Sequence, residues 1–161
     1  MNENVKQFIE ENIKLIELNN FDELFRCANL DLADYSEVGE LSKILEDAEI
    51  YPLNYLDYVP AYYMCGTDIE IFAPKPGITY ISQGAFRYCD NLISIDLPEG
   101  LEQINPHAFE DCPNIKELNL PKSLKYIHPT AFLDSLDHPD LLAHAPYPSY
   151  ANDWLNEHIY S

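Results

Sequence analysis

Ile78–Gly100 reads ITYISQGAFRYCDNLISIDLPEG, and Leu101–Ser123 reads LEQINPHAFEDCPNIKELNLPKS. A third copy starts at Leu124 as LKYIHPTAF and then decays. Aligned with a shift of 23, Ile78, Leu101 and Leu124 share a phase, and so do Ile81, Ile104 and Ile127. The pairs Ala85-Phe86, Ala108-Phe109 and Ala131-Phe132 coincide. Cys89 falls on Cys112, with Ser135 in that place in the third copy. Leu92 falls on Ile115, Ile95 on Leu118, and Leu97-Pro98 on Leu120-Pro121. The residues between are mostly polar and unrelated. A fixed period of this length marks a stack of small units. A single unit has no opposing layer for its apolar residues. Stacked units bury each other's, so the shared positions form an interior column.

Each unit has internal pattern as well. Ser94–Pro98 and Glu117–Pro121 alternate polar and apolar residues, which predicts a short strand with one face inward. Pro98 and Pro121 end it, because proline has no N–H to give to a ladder. Around Ala85-Phe86 and Ala108-Phe109 the alternation stops, and a helical turn is expected, with phenylalanine filling the core.

The spacing L-x-x-I-x-x-x-A-F-x-x-C-x-x-L-x-x-I-x-L-P resembles the BspA-type leucine-rich repeat. The resemblance covers about residues 68–160. The family pattern has glycine after the second isoleucine, where this chain has Ser82, Asn105 and His128. The first unit is read as half present: Ile69 and Phe72 match Leu92 and Ile95, while Pro74 and Pro76 interrupt the strand. The segment Ala61–Cys65 loosely echoes Gly84–Cys89, as a degenerate unit at the entrance to the stack. At the other end, Ala145–Trp154 matches the family's closing pattern. Ser149 is the expected N-cap of a helix there, with Tyr150, Trp154 and Ile159 covering the last open layer.

Residues 1–66 carry no repeat. Val5, Phe8, Ile9, Ile13 and Ile16 recur at steps of three and four, which predicts an amphipathic helix. A second helix is expected over Phe21–Ala28, capped by Asn20, and a third over Ser36–Ala48, using Val38, Leu41, Ile44 and Leu45. Asn54–Val59 is read as one more turn before Pro60. The expected fold class is α+β: a short leucine-rich-repeat solenoid of about two to four units, with an N-terminal α-helical cap and a C-terminal capping helix. The expected boundaries are 1–66 for the acidic helical cap, 67–144 for the repeats and 145–161 for the closing helix.

The chain has 161 residues, 28 acids and 9 bases, for a net charge of −19. That balance favours solubility and a monomer. It argues against direct binding of nucleic acid, where Lys and Arg must neutralise phosphates, and it suits a partner with a basic surface. Residues 1–20 hold acids throughout and no apolar run, so no secretory signal is read there. No stretch is apolar enough to span a membrane. A cytoplasmic address is therefore expected, with free thiols at Cys27, Cys65, Cys89 and Cys112.

No chemistry-bearing constellation emerges. The five histidines lack metal-ligand spacing such as CxxC or HExxH. There is no GxSxG and no glycine-rich phosphate loop. Neither a metal nor a cofactor is expected, nor catalysis. The adjacent carboxylates Glu10-Glu11, Asp22-Glu23 and Glu46-Asp47 lie on predicted helices, where neighbours in sequence point apart, so they do not form shared acid–base sites. They are candidates for a partner-binding surface instead. Tyr51, Tyr55, Tyr58 and Tyr62 fall at steps of four, three and four and would line one face of a helix. Such rings suit either a recognition surface or the junction between cap and solenoid. Tyr55 and Tyr58 join the candidate set. Outward strand positions Ser94, Asp96, Glu117 and Asn119, with Lys116, complete it.

The expected function is that of a non-catalytic protein–protein interaction module. The resemblance to phage-associated repeat proteins implies a sharper version, a phage-encoded antagonist of a host or defence protein. An alternative is an acidic nucleic-acid mimic that blocks a nuclease, restriction or CRISPR effector.

Overall fold

The computed structural model describes residues 1–32 and 34–161. Three helices come first: α1 (Glu3–Glu17), α2 (Phe21–Asp31) and α3 (Tyr35–Asp47). Asn2, Asn20 and Asp34 cap them, each side chain accepting from a backbone N–H in the first turn. Val5, Phe8 and Ile16 of α1 are buried with Leu24 and Phe25 of α2 and Val38, Leu41 and Leu45 of α3. Ile13, counted into the apolar face from its spacing, is exposed.

The rest is a parallel solenoid. The strands are β1 (Tyr58–Val59), β2 (Ile71–Phe72), β3 (Tyr80–Ile81), β4 (Ser94–Asp96), β5 (Gln103–Ile104), β6 (Glu117–Asn119), β7 (Tyr126–Ile127) and β8 (Leu142–His144). They form two four-stranded sheets, a first sheet in the order β1-β3-β5-β7 and a second in the order β2-β4-β6-β8. Each turn of the chain therefore gives one strand to each sheet. The second sheet holds the strands expected from the alternation at Ser94 and Glu117. The strands of the first sheet had no such signal: only two residues long, each shows one polar or aromatic residue before a buried apolar one.

The interior column is as the repeat phase requires. Ile78, Leu101 and Leu124, Ile81, Ile104 and Ile127, and Leu92, Ile115, Ile95 and Leu118 are all buried. Phe72, Phe86, Phe109, Phe132 and Trp154 form a spine along the stack, with successive ring centroids 4.3, 5.1, 5.1 and 5.7 Å apart. The two inner pairs, Phe86–Phe109 and Phe109–Phe132, are near-parallel offset stacks and the two outer pairs are tilted; both arrangements add to the burial of the rings themselves.

The segment at Ala85-Phe86 is a series of hydrogen-bonded turns, not a turn of α-helix. Ala85 N–H donates to Ser82 O and Arg87 N–H to Gly84 O, each three residues back. Left-handed residues break any helix at both ends: Gly84 and His107 before the Ala-Phe pair, and Tyr88 and Asp111 after it. Ser82, Asn105 and His128, which stand where the family has glycine, are not among the left-handed residues. Their N–H groups extend the first sheet, bonding Val59, Ile81 and Ile104 oxygens at 3.0, 3.0 and 2.9 Å.

The cysteine phase has a structural purpose. Cys89 Sγ donates to Met64 O and Cys112 Sγ to Phe86 O, both at 3.1 Å, and Ser135 Oγ donates to Phe109 O. Each satisfies a carbonyl of the preceding turn inside the core. At Phe86 O and Phe109 O an alkyl group in place of the thiol or hydroxyl would leave the carbonyl unpaired; Met64 O also accepts from Thr67.

The first turn is complete. Tyr58 pairs with Tyr80 and Val59 with Ile81, 22 residues apart instead of 23. The expected extra turn over Asn54–Val59 is thus a 3-10 turn at Pro52–Asn54 followed by a strand. β2 forms at Ile71–Phe72, ahead of the prolines expected to disrupt it. Thr67, not Cys65, occupies the cysteine phase, its Oγ1 bonding Met64 O at 2.8 Å. α3 lies hard against this turn: Gly39 faces Cys65 so closely that a Cβ would overlap the Cys65 carbonyl. The final turn is closed by α4 (Tyr150–His158), with Ser149 as N-cap accepting from Asn152 N–H at 3.0 Å. Among the described residues no helix is long and apolar enough to cross a membrane.

Candidate interaction surface

The inward column fixes what faces outward. On the second sheet the outward rows are Ile71, Ser94, Glu117 and Leu142, and then Asp96, Asn119 and His144. Ser94, Asp96, Glu117 and Asn119 all sit here, and Ser94 Oγ donates to Glu117 at 3.2 Å. On the first sheet the outward row is Tyr58, Tyr80, Gln103 and Tyr126. Tyr58 and Tyr80 stack with centroids 5.0 Å apart, and Tyr80 and Tyr126 are exposed. Sequence reasoning missed this row, although Tyr80, Gln103 and Tyr126 share one repeat phase immediately before the buried isoleucines.

The tyrosines expected on one helical face lie on no helix, because Pro52 and Pro60 bound a 3-10 turn and a strand. Tyr63 is buried beside Phe25, Tyr62 stacks on Tyr35 at 3.8 Å, and Tyr58 donates its hydroxyl to Asp22. These three rings join the helices to the solenoid. Burial and the Asp22 carboxylate both push the Tyr58 pKa up. Tyr51 and Tyr55 are exposed, with Tyr55 against Phe21 at 5.5 Å.

The acidic candidates separate in space. Glu10 and Glu11 are exposed on α1. Glu23 pairs with Arg26 on α2, and that hydrogen bond lowers its pKa. Asp47 is exposed and lies 3.5 Å from Lys43. Glu46 is half-buried and has no hydrogen bond or ion pair among the described residues. Burial raises its pKa above the usual 4.5.

One further charged group sits inside the turn face. Glu110 is buried and its Oε2 meets both Arg87 Nε and His107 Nδ1, the latter at 3.0 Å. Neither N–H points well enough for a hydrogen bond; the Arg87 contact is an ion pair that ties adjacent turns, while His107 belongs to the same turn as Glu110. Among the described residues no group of three His, Cys, Asp or Glu could hold a metal. Burial pushes the Cys65 thiol up to about 11, away from the thiolate a nucleophile needs.

A cavity of about 600 Å³ lies between the helical part and β2. Glu46, Tyr51, Leu56, Tyr63, Phe72 and Pro74 are among its lining.

Residues 52–138, more than half of the chain, match the family described as BspA type leucine rich repeat region (6 copies). The chain belongs to that family. Comparison with curated proteins and with solved structures finds no match. The family points to a protein-interaction module, and the two sheets with their regular outward rows are the surfaces such a module offers.

Proposed function

We propose that this BspA-type repeat protein is a non-catalytic, rigid protein-binding module. The observation that carries the reading is the pair of outward faces held by an unbroken interior column. Parallel ladders fix the spacing of every exposed side chain, so a partner meets a preformed surface and little ordering entropy is lost on binding. The net charge of −19 favours a partner with a basic surface. The division into an acidic helical part, a repeat part and a closing helix is proposed as a division of labour, with the repeat as the base.

The finer reading, a phage-encoded antagonist of a host or defence protein, rests on the family resemblance. The mimicry reading requires carboxylates in one array. Here Asp22, Glu23, Glu102 and Glu110 are tied to local partners, and the free acids are spread over several elements. Nothing in the geometry favours it.

Co-purification from a candidate host lysate tests the reading. A saturable partner should be recovered, and charge reversal at Glu10, Glu11 and Asp47, or at Asp96 and Glu117, should release it. Failure to recover any saturable partner would count against the module as a whole.

A further inference from the structure

The second sheet begins at β2, which has β4 on one side and, among the described residues, no strand on the other. Ile71 pairs with Ser94, and the Ser94 N–H bonds Glu70 O at 3.2 Å. In a parallel pair alternate residues bond the neighbour. The N–H and C=O of Ile71 and the N–H of Ala73 therefore face away from β4, with no partner among the described residues. They line the same side as the cavity of about 600 Å³, whose walls include Ile71, Phe72 and Ala73. The cavity wall opposite comes from the helical part: Tyr51, Leu53 and Leu56, with the half-buried Glu46. Lys75 also lines the cavity, but it is exposed.

Three observations converge here. A row of strand-edge donors and acceptors is open. A cavity with a mixed polar and apolar lining runs beside it. A carboxylate sits half out of water in that cavity, with neither an ion pair nor a hydrogen bond among the described residues. An unpaired, half-buried carboxylate opposes stability, and groups perturbed in this way cluster at functional sites. Pro74 and Pro76 follow at once and keep the open edge short, which guards it against indiscriminate pairing of copies. Self-pairing is further opposed by the charge of −19 on each copy.

We propose that this cavity binds an extended segment of a partner protein carrying a lysine or arginine. The segment adds a short strand to β2 through Ile71 and Ala73, and its basic side chain enters the cavity to meet Glu46. Strand addition of this kind takes affinity from main-chain bonds and selectivity from the pocket for an alternate side chain. The inference rests on the protein-binding reading and names the partner's chemistry.

The test uses the full chain, labelled with nitrogen-15, and the probe peptide acetyl-Val-Thr-Lys-Thr-Val-amide. Saturable binding is expected, with amide shifts centred on Ile71, Phe72 and Ala73. Glu46→Gln should weaken it by about tenfold, the loss typical of a hydrogen bond to a charged group. Ala73→Pro removes an outward N–H that no native bond uses, so it should abolish strand addition while leaving the fold intact. The peptide with glutamate in place of lysine should not bind. No saturable binding, shifts centred on Tyr80 and Tyr126 instead, equal affinity for Glu46→Gln, or peptide-independent dimerisation through β2 would each overturn the proposal. A co-purified partner that binds wild type, Glu46→Gln and Ala73→Pro alike would overturn it as well, yet leave the interaction-module reading standing.

Discussion

The two ends of the solenoid are finished in different ways. At the C-terminal end both sheets are sealed. Ile127 N–H of β7 donates to the Tyr150 hydroxyl, and Ala143 N–H of β8 donates to the Tyr160 hydroxyl, each at 3.0 Å. Trp154 covers Phe132, the last phenylalanine of the spine. At the N-terminal end the first turn packs under α3, and Tyr58, Tyr62 and Tyr63 pin the helices down. The edge of β2 is left uncovered beside a cavity. An open strand edge is a liability that proteins close when it has no use. This chain closes one end with two tyrosine hydroxyls and leaves a strand open at the other. The contrast is what the proposed strand addition at the open end rests on.

The spine is common to both ends, so breaking it should have the largest effect. Phe109 is fully buried between Phe86 and Phe132. Phe109→Ala should cost about 3–5 kcal/mol, read as a lower midpoint in urea unfolding. A cost under about 1 kcal/mol would mean that the turns melt independently and the ends are not coupled through the core.

The open end should break next. Gly39→Ala adds a methyl where the Cys65 carbonyl already lies. Helix propensity alone would favour alanine by about 1 kcal/mol. Overlap with backbone cannot be relieved by a rotamer change, and overpacking costs about 1–3 kcal/mol or more. A net loss is expected, with early hydrogen exchange in α3 and the first turn, while the amides of Ile127 and Ala143 stay protected. Uniform loss of protection at both ends would erase the distinction drawn between them.

The seal is worth less. Tyr150→Phe removes the hydroxyl from the Ile127 N–H, and Tyr160→Phe removes it from both the N–H and the C=O of Ala143; each should cost about 1 kcal/mol or less, since both rings are exposed. Faster exchange at Ile127 in the first variant and at Ala143 in the second is the expected signature. Unchanged exchange would show that water serves the edge as well as the tyrosines do.

The legible part of this molecule is its middle. A strict 23-residue phase is enough to put Ile81, Phe86, Cys89, Leu92 and Ile95 inside, because identical turns must bury identical positions. The ends are legible only where a local rule applies, as with the Asn20 and Ser149 caps. The first turn reads as half a unit because its first strand sits 22 residues from the next, not 23. Tyr63-Met64 also replaces Ala-Phe there, and Thr67 replaces cysteine. The first sheet escapes a sequence reading because two-residue strands show no alternation. The cavity is not legible at all. It arises from the angle at which α3 and the 51–56 segment meet β2, which no spacing encodes. Glu46 stands out in the sequence only as a neighbour of Asp47. The two part company in the fold, one lining a cavity and the other exposed beside Lys43.

The smallest effect bears most directly on the open end. Burial raises the Glu46 pKa above its ordinary 4.5, with Lys43 opposing the shift. A carboxyl raised on folding favours the folded state while it is protonated. Its contribution is fully present below the unfolded pKa and is lost as pH rises through the folded one. At neutral pH the ionised group is therefore a net cost to stability. Glu46→Gln should melt slightly higher than wild type at pH 7, and the difference should vanish below pH 4. The sign matters more than the size, since half of the side chain still reaches water. If wild type proved the more stable at pH 7, Glu46 would have a favourable partner within its own chain. The cavity would then have no unmet charge to offer. If the gain appears, the chain carries a carboxylate that its own fold would be better without, beside a strand edge that it leaves open.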